Sequence, residues 1–154
     1  FLYFTDDSIS NNILEGRSFL PPAAKLGAVF LERYNQDEGF FLVVANQHID
    51  LAARANDTDL LLAEIMDLDR TAGIILDFAQ EKEETLVILT AAYQAGGFAI
   101  NPGSTVETFL PGYNTDDAIG DLVPVFAYGP GSEIFSGIYE NTDLFKKIKR
   151  ALDL

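Results

Sequence analysis

Thr85–Gly97, TLVILTAAYQAGG, decides how the rest of the sequence is read. Leu86-Val87-Ile88-Leu89 has the length and composition of a strand buried on both faces. The run then breaks into small and polar residues and ends at Gly96-Gly97. In open α/β sheets ligands bind just beyond the carboxyl ends of the strands, so Thr90–Gly97 is where a site is expected. Its side chains are Ala91, Ala92, Tyr93, Gln94 and Ala95, and none is a strong metal ligand or a good nucleophile. The loop has the position of a site without the chemistry of one.

Working outward, Phe40–Ala45 (FFLVVA) is apolar throughout and reads as a second buried strand. Asn46–Asn56 is the loop after it, at the same sheet edge. Leu122–Tyr128 (LVPVFAY) is a third strand, with Pro124 favouring an edge or early position. Phe1–Phe4 and Ile134-Phe135 are read as short strands. Pro21-Pro22 opens a helix over residues 23–35, with Leu26, Val29, Phe30 and Tyr34 as its core face. A long helix runs from a cap at Asn56 or Thr58 to about Gln80, with Leu61, Ile65, Leu68, Ala72, Ile75, Leu76 and Ala79 as its buried stripe. A last helix, Asp143–Leu152, carries Lys146, Lys147, Lys149 and Arg150 toward its negative end. Residues 98–121 are read as irregular. Strands alternating with helices imply a three-layer α/β/α sandwich with a mainly parallel sheet. Its 154 residues fit one domain.

The net charge of −14 makes nucleic acid and anionic membranes poor partners, and no apolar run is long enough for membrane insertion. The absence of cysteine removes disulfides and thiolate chemistry. Gly129-Pro130-Gly131-Ser132 lacks the lysine of a phosphate loop and reads as a turn. His48, the only histidine, cannot make a metal cluster by itself. Asp50 lies just past a buried strand and four residues before Arg54, as either a ligand clamp or an ion pair. Asn56-Asp57-Thr58 is a glycosylation sequon. The apolar opening at Phe1, without methionine, reads as a cut or processing site in a larger fold.

Four stretches carry a family resemblance. Gly39–Val44 with Ile49-Asp50, Ala52–Asp57 (AARAND), Thr85–Gly97 and Val123–Gly137 (VPVFAYGPGSEIFSG) follow in order with sensible spacing. Together they resemble the carboxyl-terminal portion of the alkaline phosphatases, over residues 1–152. The resemblance implies a site with two zinc ions and one magnesium beside a serine nucleophile. The ligand positions correspond here to Ala45, Asp50, Arg54, Ala92, Tyr93 and Ala118. Asp50 alone keeps a ligand, and Arg54 puts a cation where zinc's charge belongs. The serine belongs to the family's amino-terminal part.

The resulting expectations are a chain with no catalytic and no metal-binding residues. Its cleft is formed by Ala45, His48, Asp50, Arg54, Ala92, Tyr93 and Gln94. The small and aromatic replacements suit an uncharged ligand, such as a carotenoid-like pigment or another lipid. The partner expected is an amino-terminal fragment or a sister phosphatase-like subunit, which completes the sheet. The alternatives are an inactive structural or regulatory subunit and an enzyme with altered chemistry. A secreted or extracellular location follows from the resemblance.

Overall fold

The computed structural model describes residues 10–35 and 38–153. The strand expected at Phe1–Phe4 lies outside them. Three long helices form as the apolar patterning requires: α1 (Leu20–Tyr34), α3 (Thr58–Lys82) and α4 (Asn141–Ala151). Prolines occupy the first turn of α1, where their missing N–H is not needed. The Asp57 carboxylate caps α3 by accepting the Leu60 N–H at 3.0 Å, rather than Asn56 or Thr58 doing so.

The helix faces differ from expectation. α1 buries Ala24 and Ala28, whereas Leu26 and Tyr34 are 64 % and 68 % exposed. Small residues one turn apart let α1 pack closely on α3, which turns the bulky residues outward. On α3, Leu61 and Ala79 are buried as expected, but Ile65 and Leu76 are exposed. The rest of the buried stripe is partly polar: Glu64, Asp67 and Thr71, with Phe78.

Those buried acids have a partner. Arg17 Nη2 reaches Glu64 Oε2 at 2.5 Å and Asp67 Oδ2 at 2.8 Å. Asn46 donates to Glu64 Oε2 at 2.8 Å and accepts from Arg17 Nη1 at 3.2 Å. The Ile13 N–H donates to Glu64 Oε1 at 2.8 Å. Burial pushes the Glu64 carboxyl up, but the Ile13 N–H, Asn46 and Arg17 together outweigh it and hold the group below its ordinary range. This network fixes Asn46, and with it the chain leaving Ala45.

Residues 46–56 are not the loop expected. His48–Arg54 forms a short helix, α2, held by docking rather than by length. Ala52 and Ala53 are buried against Leu61 and Ala95, with Ile49, Leu60, Phe98 and Tyr113 packed around them.

The chain is α/β, but its sheet differs from the mainly parallel one expected. All pairings among the described residues are antiparallel and two-stranded. β1 (Val87–Thr90) pairs with β6 (Val125–Tyr128), from Val87 opposite Tyr128 to Thr90 opposite Val125. Pro124 sits just before β6, and its carbonyl accepts from the Thr90 hydroxyl at 3.0 Å. Residues 98–121 supply three of the four strands in the remaining ribbons. β2 (Gln94–Ala95) pairs with β5 (Ala118–Ile119), and β3 (Ala99–Ile100) pairs with β4 (Pro111–Gly112). Ile134-Phe135 lies in a 3-10 helix, Ser132–Phe135, whose tight start is set by the Gly129–Gly131 turn.

Phe40–Ala45 belongs to no ladder among the described residues. Its residues nonetheless alternate between half-buried and exposed, which is the period of a strand. Leu42 lies over Gly27 of α1, and the Phe40 ring meets Phe78 of α3 at 6.5 Å. Phe41 and Val43 face outward, 60 % and 72 % exposed. The segment has the residues and alternation of a strand, and no ladder partner for it lies among the described residues.

Candidate functional site

The loop that runs from the end of β1 through β2 to Gly97, helix α2 and the segment entering β5 converge at one edge of the molecule. Gly96 and Gly97 shape the first of these. Both have positive φ, 74° and 60°, and a side chain on Gly96 would collide with the Ala53 carbonyl of α2. The Gly96 N–H donates to the Asp117 carbonyl at 3.0 Å, and its own carbonyl accepts from Asn114 N–H at 3.1 Å. The glycine loop, α2 and the segment before β5 are therefore clamped together by backbone contacts.

Arg54 lies at the centre of this edge. It follows Asp50 by one helical turn, and its Nε–H reaches the two Asp50 oxygens at 3.2 and 3.1 Å. Its Nη1 donates to Asp117 Oδ1 at 2.8 Å, across 63 residues of sequence. The guanidinium carbon stands 5.8 Å from the centre of the Tyr93 ring. The Asp117 carboxylate also accepts the Ala118 N–H at 2.7 Å. The bond to Arg54, and then the Ala118 N–H, hold Asp117 below the ordinary carboxylate range. Asp117, then Tyr93 and Asp50, raise Arg54 above its already high value.

The other expected residues separate. His48 is 6 % exposed and turns inward. Its Nε2–H donates to the Ser10 carbonyl at 2.8 Å, which fixes the proton on that nitrogen and makes the residue a structural histidine. Gln94 donates from its amide to the Phe98 carbonyl at 3.2 Å. Ala45 and Ala92 are exposed, and neither carries a polar group. The structure thus brings together Asp50, Arg54 and Tyr93, and it adds Asp117, which sequence reasoning missed. The signal for Asp117 was the acidic pair Asp116-Asp117 beside the expected ligand position Ala118, but nothing local pointed it at Arg54.

Two cavities lie elsewhere. One of about 400 Å³ is lined by Ala79, Gln80, Glu83, Tyr128, Gly129 and Pro130. One of about 240 Å³ lies between α1 and α3, beside Val29, Ile74 and Phe78. Neither is lined by the residues expected to form the cleft.

The family is settled by comparison. A family model described as alkaline phosphatase matches residues 3–117. The chain belongs to the alkaline phosphatase family. It is 26 % identical to alkaline phosphatase 4 of Bacillus subtilis over 95 % of its own length and 47 % of that protein's. It is 35 % identical to the streptomycin-6-phosphate phosphatase of Streptomyces griseus over 75 % of its length and 30 % of that protein's. The solved alkaline phosphatase of the Antarctic bacterium TAB5 superposes with a TM-score of 0.80 at 37 % identity, over 93 % of this chain and 44 % of that one. The chain thus has the α/β phosphatase fold in part, and it spans less than half the length of these relatives.

The residues at the positions that the resemblance assigns to the family's metal ligands carry few donors. A zinc site takes three or four nitrogen, oxygen or sulfur donors. At the corresponding positions stand Ala45, Ala92, Tyr93 and Ala118, and the retained Asp50 is spent on Arg54. Among the described residues no group of three or more His, Cys, Asp and Glu is placed to hold an ion.

Proposed function

We propose that this chain is a non-catalytic alkaline-phosphatase-like subunit that binds an apolar small molecule, of the carotenoid-like pigment or lipid class, together with a partner chain. The observation that carries the non-catalytic part is Arg54. It stands in a ligand position and engages both carboxylates at that edge, Asp50 and Asp117. The apolar ligand is supported by the replacements Ala45, Ala92 and Ala118 and by the Tyr93 ring, which is 45 % exposed. An extracellular location belongs to the same reading and rests on the resemblance.

The test is made on the purified protein. Metal content is measured alongside hydrolysis of p-nitrophenyl phosphate, and the visible spectrum is recorded before and after extraction into organic solvent. Sub-stoichiometric metal, no turnover and an extractable pigment or lipid are expected. Stoichiometric zinc with turnover would restore an enzyme with altered chemistry, and a colourless protein with nothing to extract would sink the ligand.

A second reading, an inactive structural or regulatory partner of another phosphatase-like subunit, is favoured by the Phe40–Ala45 segment, which has no ladder partner among the described residues. An apolar strand without a ladder is a place for another chain's strand. In that case the partner is required and the small molecule is not.

A further inference from the structure

The misfit between the family's metals and these side chains leaves a question: what offsets the charge at this edge? We propose that Arg54 is a built-in countercation. Its guanidinium does for Asp50 and Asp117 what a divalent ion would do, and by occupying that place it keeps divalent cations out. The proposal rests on reading the chain as a non-catalytic member of its family.

The geometry supports it from three sides. Asp50 and Arg54 stand on α2, Tyr93 follows β1, and Asp117 precedes β5, so the guanidinium is the point where three segments meet. Nε faces one carboxylate, Nη1 faces the other, and the aromatic ring lies beside the plane. A guanidinium matches carboxylates through a fixed fork of donors and does not lose its proton. Its charge is therefore permanent, unlike that of an imidazole, which empties near neutral pH and then offers a lone pair to a metal. Removing Arg54 would leave the Asp50 and Asp117 carboxylates sharing one edge with no cation between them. A divalent ion entering the site as it stands would meet a fixed positive charge and too few free donors. Arg54→His changes both conditions. It removes the permanent charge and adds a nitrogen to the two carboxylates, giving the minimum donor set for zinc.

The test uses zinc ion alone, read by calorimetric titration and by thermal melts with zinc or EDTA. The parent chain is expected to take up no zinc saturably and to melt at the same temperature with either addition. R54H is expected to gain one saturable site, with a melting temperature raised a few degrees at saturating zinc. Adding Asp117→Asn to R54H should abolish that rise, which separates this site from chance binding at His48. If R54H does not fold, the parent titration and Asp117→Asn alone still decide. Asp117 is 78 % exposed at its side chain. Its loss should free the β5 amides to exchange faster without creating a metal site. Zinc bound by the parent as tightly as by R54H, a folded R54H that gains none, or a gain that survives Asp117→Asn would each overturn the proposal. Zinc in the parent without turnover defeats the Arg54 role and leaves the non-catalytic reading standing. A zinc-free parent that yields no apolar ligand defeats the ligand reading and leaves Arg54 in place.

Discussion

Arg17 is the residue on which the interior most depends. It is 6 % exposed and is the cation that meets two carboxylates buried on the inner face of α3. Taking three charges out of water costs more than their attraction returns unless hydrogen bonds add to it, and here Asn46 and the Ile13 N–H do so, although Arg17 Nε has no partner among the described residues. Arg17→Met should therefore destabilise by about 3–5 kcal/mol in urea denaturation, because Glu64 and Asp67 would be left buried without a cation. The same network sets an acid limit. Glu64 is held below its ordinary value of 4.5, so its contribution is fully present above that value and is lost as pH falls through the lower folded value. Melting temperature should drop on acidification below about pH 4.5, and Glu64→Gln should flatten that part of the profile. An unchanged slope in E64Q would place the acid sensitivity elsewhere. In the sequence the Asp50–Arg54 pair was legible, because a spacing of four on a helix brings side chains together. The Arg17 network and Asp117 were not, because each joins residues 18 or more apart and no local pattern encodes such a meeting.

At the scale of elements, legibility followed length. α1, α3, α4, β1 and β6 were readable because periodicity and caps extend over enough residues to be distinctive. α2 was read as loop because seven residues carry little helical signal, and Ala52 and Ala53 hold it only by docking into the core. The apolar content of Phe40–Ala45 was read correctly, while composition does not name a ladder neighbour and none lies among the described residues. That difference is measurable. Its backbone groups have no ladder partner among the described residues, so its amides should exchange with solvent much faster than those of β1 and β6. Protection equal to that of β1 would show a partner already in place. The glycine loop is testable by one methyl group. Gly96→Ala forces a side chain into positive φ and against the Ala53 carbonyl, and it should cost about 1–3 kcal/mol from the backbone alone. Its thermal melt should shift downward, while Gly73→Ala in α3, where space is open, should be neutral or stabilising.

At the scale of the molecule, exposed apolar groups occur along the whole described chain, and some of them share a strand face. Phe41 and Val43 stand out from the Phe40–Ala45 segment, and Phe126 and Tyr128 of β6 are 62 % and 46 % exposed. Tyr128 lies opposite Val87 and Phe126 opposite Leu89, so one face of the β1–β6 ribbon carries all four side chains. The surface charge of −14 keeps copies of the chain apart but does nothing to cover that face. Contiguous apolar patches of this kind mark interaction sites or aggregation hazards. The chain spans less than half the length of these relatives, so a phosphatase-like fold has residues to spare for such a layer. On the proposed reading, a partner chain lays a strand along Phe40–Ala45 and covers Phe41 and Val43. The double substitution Phe41→Ser with Val43→Ser should then weaken the complex in size-exclusion chromatography and cross-linking. It should leave the melting temperature of the chain alone nearly unchanged, because exposed side chains contribute little to its own stability. A native preparation that runs as a soluble monomer, equally for parent and double variant, would remove the partner from the proposal and leave the apolar face to the small molecule.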